Sequence, residues 1–171
     1  DAFAYRALGH ASRCPQRSGC FQPRIVFVGV DLNEPPKPHG ILETVLYAHD
    51  LGAAEDFYRR VLGLKPFATA PGRHIFYRYG PQMLLIFNPE ATRIPPSKDA
   101  LPVPPHGAEG EGYVCFRATA EEIAAWRIRL QSLGVPIEAE VEWPRGGRSI
   151  YFRDPAGNCL EFAEARIWGL A

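Results

Sequence analysis

Ser149-Ile150-Tyr151-Phe152-Arg153-Asp154-Pro155-Ala156-Gly157-Asn158-Cys159-Leu160-Glu161-Phe162 holds two short strands around a tight turn. Aromatic and β-branched residues alternate with polar ones in the first strand, and Asp-Pro-Ala-Gly-Asn is turn chemistry. In the second strand Leu160 and Phe162 fall on one face, while Cys159 and Glu161 fall on the other. Outward from this hairpin, residues 113–118 form a strand and about 137–143 another. Between those two, Thr119 and Glu122 make a capping box. Ile123, Trp126, Leu130 and Leu133 then give a helical stripe that Gly134 stops.

The same order stands earlier in the chain. Residues 41–48 form a strand, and Asp50 caps a helix running to about Leu62. Its stripe is Leu51, Ala54, Phe57, Tyr58, Val61 and Leu62, and Gly63 ends it. Strands follow at about 65–69, 74–79 and 83–87, turned by Pro71-Gly72 and Gly80-Pro81. The pattern is therefore βαβββ twice, offset by about 70 residues, with Leu46 opposite Phe116. The expected fold is α+β: two βαβββ modules pairing into a cup-shaped mixed sheet with helices outside. Residues 41–168 read as one domain: module one at 41–88, a proline-rich loop at 89–110 and module two at 111–165. Residues 1–40 lack either period, apart from the apolar run Ile25–Val30, and read as a partly disordered N-terminal tail.

Composition excludes several classes. The chain has 171 residues, 46% hydrophobic, with 19 Lys+Arg against 19 Asp+Glu. A zero net charge gives no steering onto phosphates, so no nucleic-acid partner is expected. No apolar run approaches the roughly 20 residues that cross a bilayer, so no membrane partner is expected either. Ile25–Val30 is also too short for a signal-peptide core. Cys14, Cys20, Cys115 and Cys159 form no CxxC pair. Cys115 and Cys159 sit in apolar strands and read as small core residues, and a reducing, cytoplasmic setting is inferred. Walker, GxGxxG, HExxH and GxSxG motifs are absent.

Alternation locates the chemistry. Leu42, Thr44, Leu46 and Ala48 go under the first helix, leaving Glu43, Val45 and Tyr47 on the other face. In the second module Tyr113, Cys115 and Arg117 share that face with Cys159 and Glu161. Glu43 and Glu161 are thus two carboxylates on apolar strands, costly unless paired, hydrogen-bonded or metal-bound. The plain alternative is pairing with Arg78, Arg117, Arg148 or Arg153. Without a metal, two neighbouring acids raise each other's pKa and one serves as general base. Glu161 and Glu43 are therefore the catalytic candidates. Tyr47, Tyr113, Tyr151 and Arg153 are the substrate-binding candidates, with Tyr113 or Tyr151 donating to a developing oxyanion.

Leu46-Tyr47-Ala48-His49-Asp50-Leu51 with Phe57-Tyr58-Arg59-Arg60-Val61-Leu62-Gly63-Leu64 resembles the opening motif of the vicinal oxygen chelate superfamily. The 149–162 hairpin resembles its closing motif. That superfamily contains glyoxalase I, extradiol dioxygenases, fosfomycin-resistance thiol transferases and bleomycin-resistance proteins. The resemblance covers about residues 41–168, and Pro105–Gly112 with Ile167-Trp168-Gly169 resembles one bacterial subgroup. It implies paired βαβββ units, a frequent homodimer and a small-molecule ligand between modules. It also implies a divalent metal (Fe, Mn, Ni or Zn), with ligand positions falling on Glu43, Tyr113 and Glu161. His106, or His74, stands as a substitute ligand or substrate contact. Two readings stay open: lyase, isomerase or dioxygenase chemistry on a small oxygenated molecule, or metal-free sequestration of an aromatic one.

Overall fold

The computed structural model describes residues 37–170. Residues 1–36, with the Ile25–Val30 run, Cys14, Cys20 and most of the expected tail, lie outside the described residues. The order is β1 (Glu43–Tyr47), α1 (Leu51–Arg60), β2 (Pro66–Ala70), β3 (His74–Tyr79), β4 (Gln82–Phe87) and α2 (Pro89–Arg93). Then follow β5 (Tyr113–Arg117), α3 (Ala120–Ser132), β6 (Ala139–Glu142), β7 (Arg148–Arg153) and β8 (Cys159–Ala163). A 3-10 turn at Ala165–Trp168 ends the described chain.

The repeat forms two four-stranded mixed sheets, ordered β1-β4-β3-β2 and β5-β8-β7-β6. In each, the first strand runs parallel to the last, with Leu46 opposite Ile86 and Phe116 opposite Phe162. The other pairs are antiparallel hairpins. The helix in each module is the crossover that a parallel pair requires.

Local chemistry sets the boundaries. The Asp50 side chain accepts from Ala53 N at 2.9 Å and caps α1. The Thr119–Glu122 capping box is complete on α3. Two features extend the sequence reading. Proline-rich 89–110 contains α2, which Asn88 caps and Pro89 starts, a start signal in the sequence itself. Strand β6 is shorter than expected, because Ile137 packs on the core instead of joining the ladder.

The helix-covered faces of both sheets share one core. Ala54, Phe57, Tyr58 and Val61 of module one meet Ile123, Leu130, Phe152 and Phe162 of module two. Phe57 and Phe152 bring ring centroids to 6.5 Å, and Trp126 stacks on Phe162 at 4.4 Å. A buried polar latch crosses the same seam. Tyr58 Oη donates to Asp154 Oδ2 at 2.9 Å. Asn158 Nδ2 donates to Asp154 Oδ2 and to the Tyr47 carbonyl, and Asn158 Oδ1 accepts from Gly112 N. The Asp-Pro-Ala-Gly-Asn turn therefore holds the end of β1 beside the start of β5. Gly112 is required there, since an added Cβ would stand 2.8 Å from Leu46 Cδ2.

Candidate functional site

Because Phe116, Ile150, Phe152, Leu160 and Phe162 point into the core, their strand neighbours emerge on the opposite face. Register places Cys115 and Tyr151 on either side of Glu161, with Tyr113 beside Cys159. Glu161 is 3% exposed. The Tyr113 hydroxyl donates to Glu161 Oε2, while Tyr113 as a residue is 56% exposed. Glu161 Oε1 is buried without a hydrogen-bond partner.

Two opposing effects act on that carboxyl. Burial pushes its pKa up, but hydroxyls of Ser149, Tyr113 and Tyr151 and the Cys115 thiol hold the charge and leave it below the ordinary 4.5. Only Tyr113 meets it in full hydrogen-bond geometry; the others surround it less directly. The same environment acts in reverse on the donors. Burial and the Glu161 charge push the Cys115 thiol and the Tyr151 phenol up to about 12 each. Tyr113 is raised further, by burial first and then by its bond to Glu161. At neutral pH the centre is one carboxylate ringed by neutral donors.

The opposite face of module one is apolar and aromatic. His74 stacks on Phe76 at 4.0 Å, and Phe87 meets both rings edge-on. His74 Nδ1 is buried without a partner, and burial, then Arg73, lowers the imidazole's pKa. Tyr47 Oη and His106 Nδ1 lie 2.9 Å apart, and His106 packs edge-on against Phe87 at 4.7 Å. A cavity of about 340 Å³ opens beside Tyr47, lined also by His49, Asp50, Glu109 and Pro155.

Of the sequence candidates, Glu161, Tyr113 and Tyr151 therefore gather in one place. His106 joins Tyr47 in a separate pair. Arg153 is engaged elsewhere: its guanidinium holds Glu138 at 2.6 Å and Glu111 at 2.8 Å. Glu43 is exposed at the start of β1. Two readings need correction. Cys115 is exposed and Cys159 only half-buried, because alternation turns both away from Phe116 and Leu160. The direct partner of Glu161 is a phenol rather than an arginine. Ser149 went unread, although its place two residues before Tyr151 puts it on the same face.

The three ligand positions implied by resemblance do not make a divalent-metal cradle. Among the described residues no three His, Cys, Asp or Glu side chains gather as ligands. Tyr113 retains its proton and directs it at Glu161 Oε2, an oxygen a cation would need. The chemistry this donor set offers is hydrogen bonding and proton transfer.

The family model described as the Glyoxalase/Bleomycin resistance protein/Dioxygenase superfamily matches residues 40–162, and the chain belongs to that superfamily. Among solved structures, it is similar to one described as a lactoylglutathione lyase from Agrobacterium tumefaciens. That structure is 43% identical, covers 79% of this chain and 100% of its own, and has a TM-score of 0.75. A glyoxalase/bleomycin resistance protein/dioxygenase from Nocardioides is 24% identical over 77% of this chain and 85% of its own, with a TM-score of 0.61. The fosfomycin resistance protein FosX from Listeria monocytogenes is 20% identical over 74% of this chain and 91% of its own, with a TM-score of 0.55. These last two support the fold alone. No curated protein compared with the chain matches it. Among the described residues no helix is long and apolar enough to cross a membrane.

Proposed function

We propose that this protein binds a small oxygenated molecule at Glu161 and moves a proton on it, as a lyase or isomerase. The carrying observation is the buried, unpartnered Glu161 Oε1. A buried acceptor with no donor in bonding geometry costs about 1–3 kcal/mol, and a ligand hydroxyl would relieve it. In this reading Glu161 takes the proton, and the neutral phenols of Tyr113 and Tyr151 donate to the oxygen where charge develops. The 43% identical relative described as a lactoylglutathione lyase supports this reaction class. A homodimer accords with the superfamily, and exposed Ile41, Leu42, Phe67 and Trp168 are large apolar side chains a second copy would cover.

A second reading is sequestration without turnover. The ring chain His74, Phe76, Phe87, His106 and Tyr47 favours it, because it offers a continuous aromatic surface for an aromatic ligand. The test is a product assay with lactoylglutathione and related α-hydroxy carbonyl compounds, run on wild type and Glu161→Gln. Turnover lost in a folded Glu161→Gln supports the first reading. Binding without product in wild type supports the second, and unchanged turnover in the variant overturns the first.

A further inference from the structure

We propose that Tyr113 is the residue that excludes a divalent metal from this centre, holding Glu161 as a hydrogen-bonding carboxylate. The inference rests on the reading that Glu161 is the centre of the functional face.

Position 113 and position 161 are diagonal across the β5–β8 pair, since Tyr113 stands opposite Cys159 and Cys115 opposite Glu161. Only a long side chain closes that diagonal. The phenol does so and places its O–H on Glu161 Oε2. It thereby fills the space an ion would occupy and presents a hydrogen where an ion needs a lone pair. The rest of the centre is not hostile to a metal. Glu161 Oε1 has no partner in hydrogen-bond geometry. Cys115, a neutral thiol in the metal-free centre, faces the same carboxylate from the adjoining strand position and would give up its proton to bind a cation.

An imidazole at 113 is shorter than a phenol and carries a lone pair. It would leave a gap between ring and carboxylate suited to metal bonds of about 2 Å. Histidine, glutamate and cysteine together form a nitrogen, oxygen and sulfur set that Zn(II) accepts. One side chain thus separates a proton-transfer centre from a metal centre on the same backbone.

The test compares the full chain with Tyr113→His, with Glu161→Gln, and with the two combined, all purified without a metal-affinity tag. Metal content is read by mass spectrometry and Zn(II) affinity by calorimetry against a competing chelator, with circular dichroism as the folding check. The expected result is no stoichiometric ion in wild type. Tyr113→His should bind Zn(II) at least about tenfold more tightly, and the double variant should lose that gain. A full equivalent of metal in wild type, lost in Glu161→Gln, would overturn the proposal, and so would a folded Tyr113→His that binds no better than wild type. A stoichiometric ion in wild type overturns the proposal even where a variant does not fold. A folded Tyr113→His that stays metal-free overturns this inference alone and leaves the Glu161 product assay standing, whereas unchanged turnover in Glu161→Gln overturns the proposed function alone, so the two failures are distinguishable.

Discussion

A carboxylate in the middle of an apolar strand needs its charge met, and at Glu161 the charge is met by hydroxyls and a thiol rather than by a cation. Its pKa lies below the ordinary 4.5 in the fold, so the ionised form stabilises the native state above that value. That stability is lost as pH falls below 4.5 and through the folded value. Acid unfolding followed by circular dichroism should therefore show a flatter acid limb in Glu161→Gln than in wild type; identical acid limbs would contradict the assignment. The face Glu161 occupies was legible from alternation with Leu160 and Phe162. Its partner was not, because Tyr113 is 48 residues away in sequence and reaches Glu161 across a strand diagonal. Periodicity reports the face of a side chain and not its reach.

Helices and strands were legible where caps and periods agreed. β3 and β8 stand where alternation put them, and both long helices start at the caps read from Asp50 and Thr119. At α3 both halves of the capping box form, with Glu122 N donating to Thr119 Oγ1 at 3.2 Å and Thr119 N donating to Glu122 at 2.8 Å. Thr119→Ala should cost about 1 kcal/mol, seen as a lower denaturation midpoint with an unchanged slope. No change in midpoint would show that tertiary packing alone holds that helix end. The hairpin between β6 and β7 shows a close approach that composition does not reveal. Gly147 has φ of +96°, and a Cβ there would fall 2.6 Å from Ile167 Cγ2 on the terminal 3-10 turn. Pro144-Arg145-Gly146-Gly147 was legible as a turn; the element packed against it was not, because no local signal encodes a tertiary neighbour.

At the scale of the molecule, the repeat foretold two modules, but the manner of their joining came from a motif read only as a turn. Asp154 and Asn158 tie α1, β1 and the start of β5 together through Tyr58, the Tyr47 carbonyl and Gly112. Tyr58→Phe keeps the ring in the core and removes one donor from the buried Asp154 carboxylate. It should cost about 1–2 kcal/mol, and thermal unfolding should remain a single transition because one core spans both modules. Two separated transitions in wild type would contradict a shared core. The sheet of module two brings Tyr113, Tyr151 and Glu161 to one face through its own register, and the function proposed for the protein depends on that face. The most direct measurement is calorimetric titration of lactoylglutathione and small α-hydroxy carbonyl compounds into wild type and Glu161→Gln at neutral pH. At least one compound should bind wild type and lose about tenfold or more in affinity in the folded variant. Equal affinities in the two proteins, or no binding to wild type by any of these compounds, would contradict a functional centre at Glu161.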